Sequence, residues 1–205
     1  MQKSIPIFPI ILAAGPAPRL GYPHALAELG GRTALAIAVE NCLRAKLKAP
    51  IVVLGSQSVR VRATVPRGAR VVTNQWWKRG MLTSIRAGLR RVPPGGAFLL
   101  YPVDLPLLTP AILRQVVWAF RQRKTGQSIV SPVHRGRLGH PVIFAPEVRR
   151  ELDYVCTARE LVEKDPQRVV LVKVKSPAIY TDFRTPADVR RLQRKFAQGT
   201  SRGAR

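Results

Sequence analysis

Acidic side chains are scarce in this sequence: 205 residues carry 11 Asp and Glu against 35 Lys and Arg, a formal net charge of +24. An excess of this size points either to an anionic partner (a nucleotide, a nucleic acid or an acidic protein) or to a surface that is basic throughout. The positive residues are spread along the chain, which favours the second. Only the end is concentrated, with Arg190, Arg191, Arg194, Lys195, Arg202 and Arg205. Nonspecific binding to nucleic acid at low salt is expected either way. Cysteine is rarer still. Cys42 and Cys156 cannot build a zinc site alone, neither belongs to a C-x-x-C pair, and no second His or Cys stands at ligand spacing from His140. Two thiols close at most one bridge, so a reduced, cytoplasmic setting is expected. No stretch approaches the roughly 20 apolar residues of a spanning helix, so no membrane association is expected. The first apolar run, residues 5–12, imitates a secretory signal, with Lys3 before it and Ala13-Ala14-Gly15 after it. It is short, Pro6 and Pro9 interrupt it, and it begins a regular pattern, so it reads as a strand.

What the chain does have is enough apolar residue, 46%, for a full core. Apolar runs at residues 5–12, 51–54, 70–72, 97–101, 128–130, 141–144 and 169–174 read as strands. Amphipathic segments at 33–46, 57–64, 81–91, 110–124, 158–164 and 186–196 read as helices. Thr109 before Pro110 and Thr185 before Pro186 are N-cap signals, and Asp188 places negative charge in the last helix's first turn. Strands separated by helices require crossovers, so an α/β fold is expected, with a mostly parallel sheet covered on both faces. The alternation loosens over residues 132–153, where prolines, Gly136 and Gly139 suggest a loop or ribbon over the sheet edge. No repeat or linker is visible: residues 1–197 read as a single domain and 198–205 as a basic, disordered tail.

Several motifs sit at strand ends. The first strand empties into Ala13-Ala14-Gly15-Pro16-Ala17-Pro18-Arg19-Leu20-Gly21. Small side chains let a polyanion approach the backbone, and a guanidinium at the loop's end grips phosphate oxygens in a fork. The spacing is neither G-x-G-x-x-G nor a Walker loop, so an ordinary tight turn is the competing reading. Asp104, in Val103-Asp104-Leu105-Pro106, follows the strand at 97–101 and lies at the same sheet edge. A carboxylate there holds Mg²⁺ or caps a turn. Gly80-Met81-Leu82-Thr83-Ser84 opens a helix whose free amides and hydroxyls face a nucleotide, unless it is a plain helix start. Trp76 and Trp77, just before it, read as core or rim residues ahead of base stacking. His140, in Gly139-His140-Pro141, contacts substrate or occupies a turn.

In this order the pieces resemble the nucleotidyltransferases that mature the molybdenum cofactor, above all their cytidylyltransferase branch. That family shows L-A-A-G-x-S-x-R-M-G-x-x-K, then G-M-x-x-S, V-D-x-P, G-H-P and D-I-D-T-P-x-D. Here the first motif runs from Leu12 to His24, and the last reads Asp182-Phe183-Arg184-Thr185-Pro186-Ala187-Asp188. The resemblance spans residues 5–196. It implies a three-layer α/β sandwich of the nucleotide-diphospho-sugar transferase kind, Rossmann-like in outline. It also implies Mg²⁺-dependent transfer of a nucleoside monophosphate to a phosphate monoester such as molybdopterin, with release of pyrophosphate. CTP is favoured over GTP as the donor, and an apo-molybdoenzyme would be a further partner. Carried over, Arg19 grips the triphosphate, and Asp104 and Asp182 hold Mg²⁺. Leu12, Ala13, Ala14 and Gly15 meet the nucleotide, Gly80 and Ser84 lie by the base, and His140 sits nearer the pterin.

Three departures from the pattern stand out. The family's lysine is His24, mostly neutral at pH 7 with an ordinary pKa of roughly 6.5, although a triphosphate beside it would raise that value. Its serine is Ala17, and the second Asp of D-I-D-T-P is Arg184. Pro16 and Pro18 also withhold two backbone donors from the loop. These departures favour a second reading, a catalytically weak or inactive relative that binds a nucleotide or a partner protein. A basic nucleic-acid-binding module on the same scaffold is the third.

Overall fold

The computed structural model describes residues 5–202, with side chains as far as residue 198. Lys3 of the signal-like start and Arg205 of the tail lie outside the described residues. The chain opens with β1 (Ile7–Ala13), a small hairpin of β2 (Glu28–Leu29) and β3 (Arg32–Thr33), and α1 (Ala34–Arg44). β4 (Ile51–Leu54), α2 (Ser58–Arg62), β5 (Arg70–Thr73), α3 (Met81–Leu89) and β6 (Ala97–Pro102) follow. The second half holds α4 (Pro110–Gln122), β7 (Ile129–His134), β8 (Arg137–Leu138), β9 (Val142–Phe144), α5 (Ala158–Lys164), β10 (Val169–Lys173) and α6 (Pro186–Arg202).

The main sheet runs β10-β7-β9-β6-β1-β4-β5, with β8 added beside β7. The β1–β4, β1–β6, β4–β5 and β7–β10 pairs are parallel, and β8 and β9 run against their neighbours. β1, β4 and β6 are apolar on both faces because both faces are covered. Ile11, Val52, Leu54 and Leu99 pack under α1 and α4, whereas Ile10, Ile51, Val53 and Phe98 pack under α3 and α5. This is the three-layer, mostly parallel α/β architecture expected. A third cluster joins α6 to the first loop and the small hairpin through Leu20, Leu29, Phe183, Val189 and Leu192. The cap signals hold: Thr109 Oγ1 accepts from the Ile112 N–H at 3.3 Å with Pro110 at the first helical position, and Thr185 Oγ1 accepts from the Asp188 N–H at 3.2 Å. Cys42 is buried, which pushes its thiol pKa up, Cys156 is exposed, and both are free. Among the described residues no helix is long and apolar enough to cross a membrane.

The segment expected as an edge ribbon is the main correction. β9 lies in the sheet between β6 and β7, hydrogen-bonded to both, and Val142, Ile143 and Phe144 are all buried. The strands expected at 128–130 and 141–144 are both present, but Pro132 hides the second half of the first, because a proline removes a ladder donor and argues against a paired strand. Yet Pro132 stands within β7, in register with Val172 of β10. The β2–β3 hairpin was also unforeseen, although the Gly30-Gly31 pair that turns it, with φ of 58° and 74°, is a hairpin signal. α6 continues to Arg202, past the expected end at residue 196.

The topology locates a crevice. From β1 the chain steps outward to β4 and β5, then returns to the opposite side of β1 as β6. The order therefore reverses between β1 and β6. At such a switch point the loops leaving two neighbouring strands diverge and leave room for a ligand at their carboxyl ends.

Candidate active site

A hollow of about 300 Å³ opens at that point, lined by Leu12, Ala13, Ala14, Gly15, Pro16, His24, Ala25, Trp77, Met81, Ser84, Pro102, Val103 and Asp104. One wall is the loop after β1, the facing one is the loop after β6, and the Val103 N–H donates to the Leu12 carbonyl at 3.2 Å to join their roots. The third wall is the start of α3 with Trp77. Of the residues picked from sequence, Leu12, Ala13, Ala14, Gly15, His24, Ser84 and Asp104 are brought together here.

The remaining four are placed differently. Gly80 lies just outside the lining as the N-cap of α3, with φ 107° and ψ 166°, a conformation that favours glycine. Arg19 is exposed and does not line the hollow. Its neighbours explain this: Ala17 and Leu20 are buried in the third cluster, and the turn they anchor carries Arg19 on its outer side. His140 is set into the sheet beside Leu100 of β6 and is not on the lining. Asp182 stands at the hollow's margin, close enough for its charge to act on both His24 and Asp104.

His24, Asp104, Asp182 and Arg184 form one electrostatic group. Burial pushes the Asp104 carboxyl above its ordinary range; His24 opposes this and Asp182 adds to it. Burial also pulls His24 below its ordinary value, against the attraction of Asp104 and a hydrogen bond to the Phe183 backbone. The imidazole is therefore neutral at pH 7. Its ring meets Phe183 edge-on at 5.0 Å, and its Nε2 is buried without a hydrogen-bond partner among the described residues. In a neutral imidazole one ring nitrogen donates and the other accepts, so Nε2 is left with hydrogen-bonding capacity that the described residues do not use. Arg184 binds Asp182 through Nε at 2.8 Å and Nη2 at 2.7 Å, both to Oδ2.

The donor set fits a hard divalent cation. Among the described residues no group of three or more His, Cys, Asp or Glu gathers as a metal cluster. Two carboxylates at the mouth of a hollow suffice for Mg²⁺, which takes one or two protein carboxylates and completes its shell with water and phosphate.

Sequence reasoning passed over Asn74, one of two polar residues between β5 and the two tryptophans. It is buried, its Nδ2 donates to Thr83 Oγ1 at 2.8 Å and Ser84 Oγ at 3.0 Å, and its Oδ1 accepts from the Trp76 N–H at 3.0 Å. One side chain thus ties the tryptophan turn to the first turn of α3 and orients Ser84. Asn74→Ala removes all three of these hydrogen bonds, the one to buried Ser84 included. A loss of about 2 kcal/mol of stability is expected in denaturant unfolding, together with weaker nucleotide binding.

His140 gives the fold a pH dependence. Its Nδ1 is buried without a partner, and burial lowers its pKa from 6.5 to about 4. The unfolded chain therefore binds a proton that the folded one refuses. Stability is full above pH 6.5 and falls as the pH drops towards 4, by about 3 kcal/mol in all. Urea unfolding across this range is expected to show that loss in the parent protein and a shallower slope in His140→Gln.

The family model of the MobA-like NTP transferase domain matches residues 9–172. No protein of curated function matches the sequence significantly. Among solved structures, Rv0371c from Mycobacterium tuberculosis H37Rv is 27% identical with a TM-score of 0.80, over 94% of this chain and 100% of that one. A complex of Rv0371c with manganese aligns at 25% identity and a TM-score of 0.72, over 92% and 98%. A nucleotidyl transferase from Methanothermobacter, Mth528, is 21% identical with a TM-score of 0.81, over 96% and 100%.

Proposed function

This chain belongs to the MobA-like NTP transferase family, and from that premise we propose that it transfers CMP from CTP to the phosphate of a monoester such as molybdopterin, in the cytoplasm. An oxygen of the acceptor phosphate attacks the α-phosphorus of the triphosphate. The bond from that phosphorus to the oxygen bridging to the β-phosphate breaks, and pyrophosphate leaves. Such chemistry needs alignment and charge neutralisation more than covalent help. Leu12 to Gly15 would pass their backbone along the nucleotide, Ser84 would lie by the base, and His24 would border the phosphates beside Asp104. Asp104 and Asp182 would hold Mg²⁺, whose charge neutralises the phosphates as they react.

The observation that carries this reading is the convergence of Asp104 and the small-residue loop on one hollow at the switch point of the sheet. It is tested by pyrophosphate release from CTP, GTP, ATP and UTP, with and without Mg²⁺, in the presence of molybdopterin. Release that requires metal and is fastest with CTP is expected. Nucleotide binding without release under any condition supports the second reading, a binding protein with little turnover. One feature favours that alternative: the grip of Arg184 on Asp182, which engages one of the two carboxylates.

A further inference from the structure

We propose that Arg184 is the guanidinium that receives the nucleotide's phosphates, and that it rests on Asp182 until the nucleotide arrives with its metal. This deepens the reading of the hollow as a triphosphate site and rests on it.

The backbone around Arg184 is fixed while its side chain is not. Phe183 is fully buried between the first loop and α6 and anchors the segment. The N–H groups of Arg184 and Thr185 both donate to Asp188 Oδ2 at 3.1 Å, which pins the chain at the start of α6. From this fixed point the side chain folds back onto Asp182 and remains 65% exposed. Its charge is already felt by His24 and Asp104, two residues of the lining. Neither Arg184 nor Arg19, the guanidinium expected from sequence, is itself on that lining; what marks Arg184 is its ion pair with Asp182 and its effect on two residues that are.

The charges explain the exchange. Two carboxylates, Asp104 and Asp182, share one guanidinium here, and Arg184 is bound to Asp182 alone. A triphosphate adds several negative charges, and a cation must meet them. Phosphate offers a guanidinium the same fork as a carboxylate, with more charge behind it. When Arg184 moves from Asp182 to a phosphate, Asp182 Oδ2 is freed for a divalent cation. One ion pair becomes two, and Arg184 and the metal no longer compete for the same oxygen.

The test reads two affinities that move in opposite directions. Mn²⁺ binding to the nucleotide-free full chain is measured by electron paramagnetic resonance, and binding of the four Mg·NTP complexes by calorimetry. In Arg184→Gln, Mn²⁺ is expected to bind several-fold more tightly, because Asp182 is released. The Mg·NTP that binds best to the parent protein is expected to bind roughly tenfold more weakly. Arg184→Lys, which keeps charge but not the fork, should fall between the two for the nucleotide. A merely structural role would weaken both affinities or leave both alone, and either result overturns the proposal. If the parent protein binds a nucleotide and Arg184→Gln binds it equally well, only the role of Arg184 is lost. If the parent protein binds none of the four, the reading of the hollow falls, and this proposal with it.

Discussion

Asp104→Asn is expected to lower nucleotidyl transfer about a thousandfold or more, to abolish the effect of Mg²⁺ on nucleotide binding, and to leave the protein at least as stable. The first two effects follow from the position of the carboxylate, on the lining opposite the small-residue loop, where it is the hollow's own acidic group. On the proposed reading Asp104 holds the metal together with Asp182, and removing the carboxylate that lines the hollow withdraws most of that charge stabilisation from the reacting phosphates. The third follows from the cost of burial. The Asp104 carboxyl is held above its ordinary range chiefly because it is buried, so the folded state carries an unfavourable charge at pH 7. A neutral amide of the same shape relieves that penalty. Steady-state kinetics, Mg²⁺ titration of nucleotide binding and urea unfolding check the three parts together. Unchanged magnesium dependence in this variant would remove Asp104 from the site.

Gly55→Ala is expected to cost about 2 kcal/mol of stability and to weaken nucleotide binding tenfold or more. Gly55 follows β4 and sits against the floor of the hollow. A Cβ there would stand 2.7 Å from the Ala14 carbonyl oxygen, 2.7 Å from Trp77 Cβ and 2.8 Å from Ala14 Cβ. All three neighbours are backbone or backbone-near atoms, so no flexible side-chain end can yield. The Ser56 N–H also donates to the Ala14 carbonyl at 3.0 Å, which holds the two loops at this spacing. The methyl group therefore pushes apart Ala14 and Trp77, which belong to two adjoining walls of the hollow. Gly15→Ala is the contrasting variant. It is in the same loop, but nothing lies within 4 Å of its added Cβ, so stability should be unchanged. Unfolding midpoints and nucleotide affinities for the two variants separate crowding at Gly55 from a general sensitivity of the loop.

The strands were legible because parallel strands covered on both faces are continuous apolar runs, and 51–54 and 97–101 stand out as such. Residues whose signal is local were legible too: Asp104 because a carboxylate follows a buried strand in a chain with few carboxylates, and Thr109-Pro110 because a cap is written in adjacent residues. What escaped depends on contacts between distant segments. β9 joins the middle of the sheet by pairing with β6 on one side and with Ile129 and Val130 of β7 on the other. Asn74 becomes a hub only when the turn at Trp76 folds back on α3. Arg19 ends the small-residue loop in sequence, yet the burial of Ala17 and Leu20 decides which way that loop turns. Arg184 read as the loss of a carboxylate. Folded, it is a cation held against Asp182 beside the hollow, a relation that position in the chain does not reveal.

The central claim is that a triphosphate lies in the hollow between the small-residue loop and Asp104, and crystals grown with Mn²⁺ and a non-hydrolysable CTP analogue test it most directly. The expected result is anomalous scattering from manganese at the Asp104 carboxylate, with the phosphates along Ala13 to Gly15 and the base towards Ser84. Manganese away from Asp104, or the nucleotide bound outside the hollow, would contradict it.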